Sequence, residues 1–210
     1  MCPFFQLEHL PAANVLRLIS HDGTNRLSRA CLIALTSEIQ ELSRDPRPLI
    51  ITGNDRFFSA GADLHAIARL QGSAAFEFAK MGQRFMSAAA EFPCPLYAAI
   101  CGYCMGGGLD LALACHYRIA SPHAIFGHRG ASLGLITGWG GTQRLPRLIG
   151  KSRALQMFLT AEKLDAADAL RIGLIDAITS DPVAAALEKI ESRSRNHHAP
   201  PADSRSTSDE

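Results

Sequence analysis

The chain has 210 residues, 47% hydrophobic and 20% charged, an ordinary globular composition long enough for one domain with a sizeable core rather than two independent ones. A net charge of +1 with no basic stripe gives no footprint for a nucleic-acid partner, and no apolar run is long enough to span a bilayer. The six cysteines lie mostly in apolar surroundings of a chain that does not need disulfides, and the first residues lack the basic start and apolar stretch of a signal peptide, so a reduced, cytoplasmic protein is expected.

Asn14 to Ser20 alternates as a strand does, with an exit turn at His21-Asp22-Gly23. From Ser28, residues Leu32, Leu35, Ile39 and Leu42 recur at helical spacing until Asp45-Pro46 stops them, and Pro48 to Thr52 reads as a short buried strand. A second helix is predicted over Ala74 to Glu91, broken by Pro93 and Pro95. Leu96 to Cys101 then has the uninterrupted apolar character of a central strand. Leu109 to Ala114 is composed of good helix formers, and Tyr117–Ala120 and Ala124–Phe126 are two further strands. The stretch from Gly134 to Gly150 reads only as loop and turn. Helices are predicted at Lys151–Leu159, after the cap Asp165 up to Gly173, and from Asp181-Pro182 through Val183 to Ile190. The expected organisation is an α/β core over residues 1–180, a C-terminal helix over 181–193, and a polar, proline-containing disordered tail over 194–210.

Two glycine-rich turns stand out. Phe57-Phe58-Ser59-Ala60-Gly61-Ala62-Asp63-Leu64 comes after a buried strand, and its small residues let a ligand approach the backbone while Asp63 can cap the next helix or turn. Met105-Gly106-Gly107-Gly108-Leu109-Asp110 sits between a strand and a helix, where unsatisfied N–H groups can converge on an anionic oxygen. It is not a phosphate loop, because it has no Gly-Lys-Ser/Thr ending, and its glycine spacing fails the dinucleotide fingerprint.

On these two stretches, together with Tyr117–Ala120, Gly140 to Gly150 and Ala167 to Asp176, the chain resembles the crotonase superfamily, also called the enoyl-CoA hydratase/isomerase family, from about Val15 to Ile178. The resemblance implies a spiral of ββα units, here with a reduced C-terminal helical region. It implies an acyl-coenzyme A substrate, no permanently bound cofactor, no metal, and a homo-oligomer, trimeric or hexameric. It also implies an oxyanion hole made by the backbone N–H groups of Ala60 and Gly107, with Ala62, Asp63, Leu64 and His65 beside the coenzyme A moiety. Fixed amide dipoles aimed at a thioester oxygen lower the barrier to enolate formation, and one such donor is typically worth about 3 kcal/mol.

Relatives use two glutamates to move protons. The first position is Asp110, which keeps the carboxylate with a shorter reach; its alternative is an inert first-turn helix residue. The second position is Gly130, which transfers no proton, and the space left there is open to a water, a bicarbonate ion or another side chain. His128, two residues earlier, has a suitable intrinsic pKa and either acts on the substrate or points into solvent. Trp139 either walls the acyl pocket or packs the core. The expected activity is that of an enoyl-CoA hydratase/isomerase. The alternatives are a malonyl-CoA-type decarboxylase and a non-catalytic acyl-CoA-binding or assembly protein of the same fold.

Overall fold

The computed structural model describes residues 2–197. In chain order the elements are β1 (Phe5–His9), β2 (Asn14–Leu18), β3 (Arg26–Leu27), α1 (Arg29–Leu42), β4 (Leu49–Thr52), β5 (Phe57–Ser59), β6 (Gly61–Ala62), α2 (Leu64–Ile67) and α3 (Gly72–Ala90). They continue with β7 (Leu96–Ile100), β8 (Tyr103–Met105), α4 (Gly107–Ala114), β9 (Tyr117–Ala120), β10 (Ile125–Gly127), a 3-10 turn (Gly130–Leu133), α5 (Gly141–Ile149) and α6 (Lys151–Thr160). Last come β11 (Leu164–Asp165), α7 (Ala166–Arg171), β12 (Ala177–Ile178) and α8 (Pro182–His197).

Successive strands of each repeat go to different sheets. β4, β7 and β9 join the six-stranded sheet, of order β1-β2-β4-β7-β9-β12, while β5, β8 and β10 join the four-stranded sheet, of order β11-β10-β8-β5. Helices α3 and α4 then close two such pairs, which is the spiral of ββα units expected from the resemblance. The large sheet is parallel apart from the β1–β2 hairpin. Both of its faces are covered, which explains its unbroken apolar strands. On β7, Leu96, Ala98 and Ile100 enter the main core, whereas Tyr97 and Ala99 face a second cluster closed by Ala186 and Ile190 of α8.

The caps read from the sequence are present: Ser28 accepts from the Cys31 N–H, Asp165 from the Asp168 N–H, and Asp181 from the Val183 and Ala184 N–H groups. Two readings are corrected. Gly141–Ile149 is a helix, not a loop; its start at Gly140 and its internal Pro146 disguise an amphipathic stretch. Helix α8 passes the expected end at Arg193 and runs to His197, while residues 198–210 of the expected tail lie outside the described residues. Among the described residues no helix is long and apolar enough to cross a membrane, and the six cysteines are free thiols.

Candidate active site

Helix α4 is buried along its whole length, so its N-terminus is held at a fixed point in the core. That N-terminus opens on a cavity of about 660 Å³ between α2, α3, the turn after β10 and the segment leading into α5. All of the residues named from the sequence line it: Ala60, Ala62, Asp63, Leu64, His65, Gly107, Asp110 and His128.

The Gly107 N–H is the first of its helix, with no intrahelical partner available, and makes no other hydrogen bond among the described residues. The expected second donor is corrected. Ala60 gives its N–H to the Thr24 carbonyl at 2.9 Å, a bond that holds the turn in place. Gly61 gives its N–H to the Ser59 hydroxyl at 3.1 Å, and that hydroxyl is itself bonded to the Asn25 carbonyl. The backbone then turns through Gly61 at φ +90°, in a place where a Cβ would stand 2.5 Å from the Met105 carbonyl oxygen and 2.8 Å from the Gly107 nitrogen, so a side chain is excluded. The amide nitrogen that arrives next to α4 is that of Ala62, 3.3 Å from where a Cβ on Gly107 would lie. Both alanines flank one glycine, and the sequence holds no signal for which of them faces the helix.

Asp63 does cap α2, accepting from the His65 N–H at 3.0 Å and the Ala66 N–H at 3.4 Å, so its carboxylate is engaged locally. Leu64 and His65 are at the cavity mouth, together with Leu133, Leu135 and Ile136 of the opposite wall. Trp139 is buried and forms the inner wall. Its indole lies edge-on to Phe78 with centroids 5.5 Å apart, in space that a Cβ on either Gly82 or Gly107 would invade.

One helical turn beyond Gly107, Asp110 is 1% exposed. Its Oδ2 accepts a short hydrogen bond from the Thr137 hydroxyl. Its Oδ1 has no partner in hydrogen-bond geometry, although the Gly141 and Trp139 amides and the Arg144 charge are close enough to favour its ionised form. Burial outweighs all of these and raises the carboxyl from 3.8 to about 7. His128 is 3% exposed, packed against Phe158 of α6 with ring centroids 5.3 Å apart, and its Nε2 stands 3.5 Å from Asp110 Oδ1. Burial lowers its pKa from 6.5 to about 4. The alternative of a solvent-pointing His128 is thereby removed.

Gly130 does not leave the open space expected from its missing side chain. A Cβ there would lie 2.5 Å from the Leu135 carbonyl oxygen, because the segment after the 3-10 turn folds back on it and Leu135 donates its N–H to the Gly130 carbonyl at 2.9 Å. Thr137, Arg144 and Gly141 carry no signal of a site role in the sequence, because all three come from the stretch between Gly134 and Gly150 that lacks readable periodicity.

Residues 13–206 match the family model described as enoyl-CoA hydratase/isomerase. The chain belongs to the enoyl-CoA hydratase/isomerase family. It is 40% identical over 166 residues to a Bacillus subtilis (strain 168) protein named probable enoyl-CoA hydratase, and 38% identical over 167 residues to a crotonyl-CoA hydratase of Syntrophomonas wolfei. Each alignment covers 78% of this chain and 64% of the relative, so the chain spans under two thirds of the length of these curated relatives. Among solved structures, Pseudomonas aeruginosa DspI superposes with a TM-score of 0.86 at 37% identity, over 91% of this chain and 80% of that one. An enoyl-CoA hydratase of Thermoplasma volcanium superposes with a TM-score of 0.87 at 29% identity, over 92% and 78% of the respective chains. These superpositions support the crotonase-like fold over nearly the whole described chain of this family member.

Proposed function

We propose that this protein is an acyl-CoA-processing enzyme of the hydratase/isomerase type, which binds the thioester carbonyl between the N–H groups of Gly107 and Ala62 and moves protons with Asp110. The observation that carries this reading is a carboxylate 1% exposed on a cavity wall, one helical turn from an unpartnered helix N-terminal amide. As the thioester loses a proton next to its carbonyl, charge moves to the oxygen. Amide dipoles already aimed at that oxygen stabilise it without reorganising, and the field of α4 adds to the Gly107 contribution. Asp110, with a carboxyl near neutrality, is present in both protonation states near pH 7 and so serves as base and then acid.

Among the described residues only one carboxylate lines the reaction end of the cavity, and Gly130 is packed against backbone. That favours chemistry in which a single group removes and returns a proton, as in double-bond isomerisation, over hydration shared between two carboxylates. The coenzyme A moiety runs past Ala62, Asp63, Leu64 and His65 to the mouth. The acyl chain lies against Phe78 and Trp139. The protein works without a resident cofactor or metal, in the cytoplasm, as a homo-oligomer. Sedimentation equilibrium tests the last point, with trimer or hexamer expected and a monomer the refuting result.

The function is tested by incubating purified protein with short and medium enoyl-thioesters in deuterated buffer. Loss of the conjugated-enoyl absorbance reads hydration, and deuterium incorporation or double-bond migration reads isomerisation. Turnover that disappears in Asp110→Asn while acyl-CoA binding persists is the expected result. Undiminished turnover in that variant, or binding with no turnover of any enoyl- or malonyl-thioester by the wild type, overturns it.

A further inference from the structure

Two buried polar atoms in this site face each other without a partner. Asp110 Oδ1 and His128 Nε2 are 3.5 Å apart, each is enclosed, and neither makes a hydrogen bond to any other group among the described residues. An orphaned buried polar atom destabilises a fold, and such atoms in native proteins are almost always satisfied. Here the two orphans have complementary chemistry: a carboxylate oxygen accepts, and a neutral imidazole protonated on Nε2 donates. A shift of about half an ångström joins them, well within the tightening that hydrogen bonds in unliganded sites undergo when substrate binds.

Resting on the reading that Asp110 is the proton-transfer group, we propose that His128 is a positioning residue which donates its Nε2–H to Asp110 Oδ1 and so fixes both the orientation and the ionisation of that carboxylate. Three features of the fold support this. Thr137 already holds the other oxygen, so a donor on Oδ1 removes the last rotational freedom of the side chain. Phe158 packs on the imidazole, and burial keeps the ring neutral, hence able to serve as a one-proton donor rather than as a competing cation. Gly141 has no side chain where one would overlap Asp110 Oδ1 and lie 3.1 Å from His128 Cε1, so the contact between acid and imidazole exists only because α5 begins with glycine. The charged and titratable groups around Asp110 are His128 at the end of β10, Arg144 on α5 and the buried Cys104 on β8, with Arg26, Asp63, His65 and Arg129 farther out along the cavity. Of these, His128 is the one in contact with Oδ1.

The test reads Asp110 directly and does not depend on turnover. Carboxyl carbons of aspartate are labelled with carbon-13, and the Asp110 titration, assigned by its disappearance in Asp110→Asn, is monitored by NMR in wild type, His128→Leu and His128→Gln. Gln retains an N–H near the position of Nε2, and Leu does not. Burial, Thr137, Arg144 and the nearby amides alone put the carboxyl at about 7, so with the His128 hydrogen bond the wild-type midpoint is expected below that value, to move up by about one pH unit or more in His128→Leu and to return to within a few tenths in His128→Gln. An unmoved or lowered midpoint in His128→Leu overturns the proposal, and so does an equal rise in both variants, which assigns the effect to packing. Should His128→Leu not fold, nitrogen-15 shifts of the wild-type histidines at pH 8 decide the matter. A neutral ring protonated on Nε2 supports the proposal; protonation on Nδ1, or an imidazolium, overturns it. If enoyl-thioester turnover is absent while this titration behaves as expected, the assigned reaction fails and the positioning role stands.

Discussion

Replacing Asp110 by Asn should make the protein more stable at alkaline pH than at acidic pH relative to wild type, although it removes the proposed catalytic group. Burial raises the carboxyl from 3.8 to about 7, so between these values the folded state binds a proton that the unfolded state has released. Stability contributed by the protonated form is therefore fully present below pH 3.8 and is lost as pH rises through 7. A displacement of about three pKa units corresponds to roughly 4 kcal/mol in all, of which about 3 kcal/mol falls between pH 5 and pH 8. Asn carries no charge at any pH, and its carbonyl can still accept from Thr137, so its stability lacks this term. Urea unfolding of both proteins at pH 5, 6, 7 and 8, analysed as differences between them, cancels every group they share. His128, lowered by burial from 6.5 to about 4, is essentially neutral in both folded and unfolded states at pH 8, leaving that end of the comparison clean. A wild-type-minus-variant difference that stays constant within about 0.5 kcal/mol over the whole range would show that Asp110 is solvated, and the account of the site would fall with it.

Trp139 is the single tryptophan of the chain and walls the cavity, so acyl-CoA binding should change the intrinsic fluorescence saturably; an unaltered spectrum at saturating ligand removes it from the acyl wall. Gly141→Ala places a methyl group against Asp110 Oδ1 and should lower kcat about a hundredfold through misplacement of the acid, with acyl-CoA affinity little changed. Wild-type kcat in that variant would show that the carboxylate position is not critical. Gly82→Ala pushes on the indole from α3, and overpacking of this kind should reduce stability by about 1–3 kcal/mol in urea melts, accompanied by a shift in tryptophan emission. Equal stability and an unshifted spectrum would mean that the indole has room to move.

The frame of the molecule was legible because its strands and helices bury one repeating face. Leu32, Leu35 and Ile39 of α1, and the unbroken Leu96 to Ile100 of β7, occupy the core positions their spacing predicts. The caps Ser28, Asp165 and Asp181 were equally readable, since a short polar side chain before a helix has one common use. The contents of the site were less legible for a physical reason. Asp110, His128, Thr137 and Gly141 meet through packing between α4, β10 and α5, and nothing in the local periodicity of any of them encodes that meeting. The choice between Ala60 and Ala62 depends on the direction of a single peptide group after Gly61. Composition leaves that direction open, while the bond from the Ala60 N–H to the Thr24 carbonyl takes Ala60 out of the choice.

The glycines of this site are better understood as space than as flexibility. Gly82 on α3 and Gly107 on α4 lie on the two sides of the Trp139 indole, and a Cβ on either would collide with it. Gly107 therefore has two duties that reinforce each other: its amide is the unpartnered donor at the helix N-terminus, and its bare α-carbon admits the ring that walls the cavity beside that donor. Gly141 repeats the arrangement at the other end of the site, giving its side-chain volume to Asp110 and the edge of His128. A donor, an apolar wall and an acid are thereby brought close together on a helix that is buried throughout. In such a place a carboxylate has a raised pKa because water is absent, and amide dipoles act strongly for the same reason. The burial that makes Asp110 a liability to the fold is thus what holds its carboxyl near neutrality, as the proposed proton transfer requires.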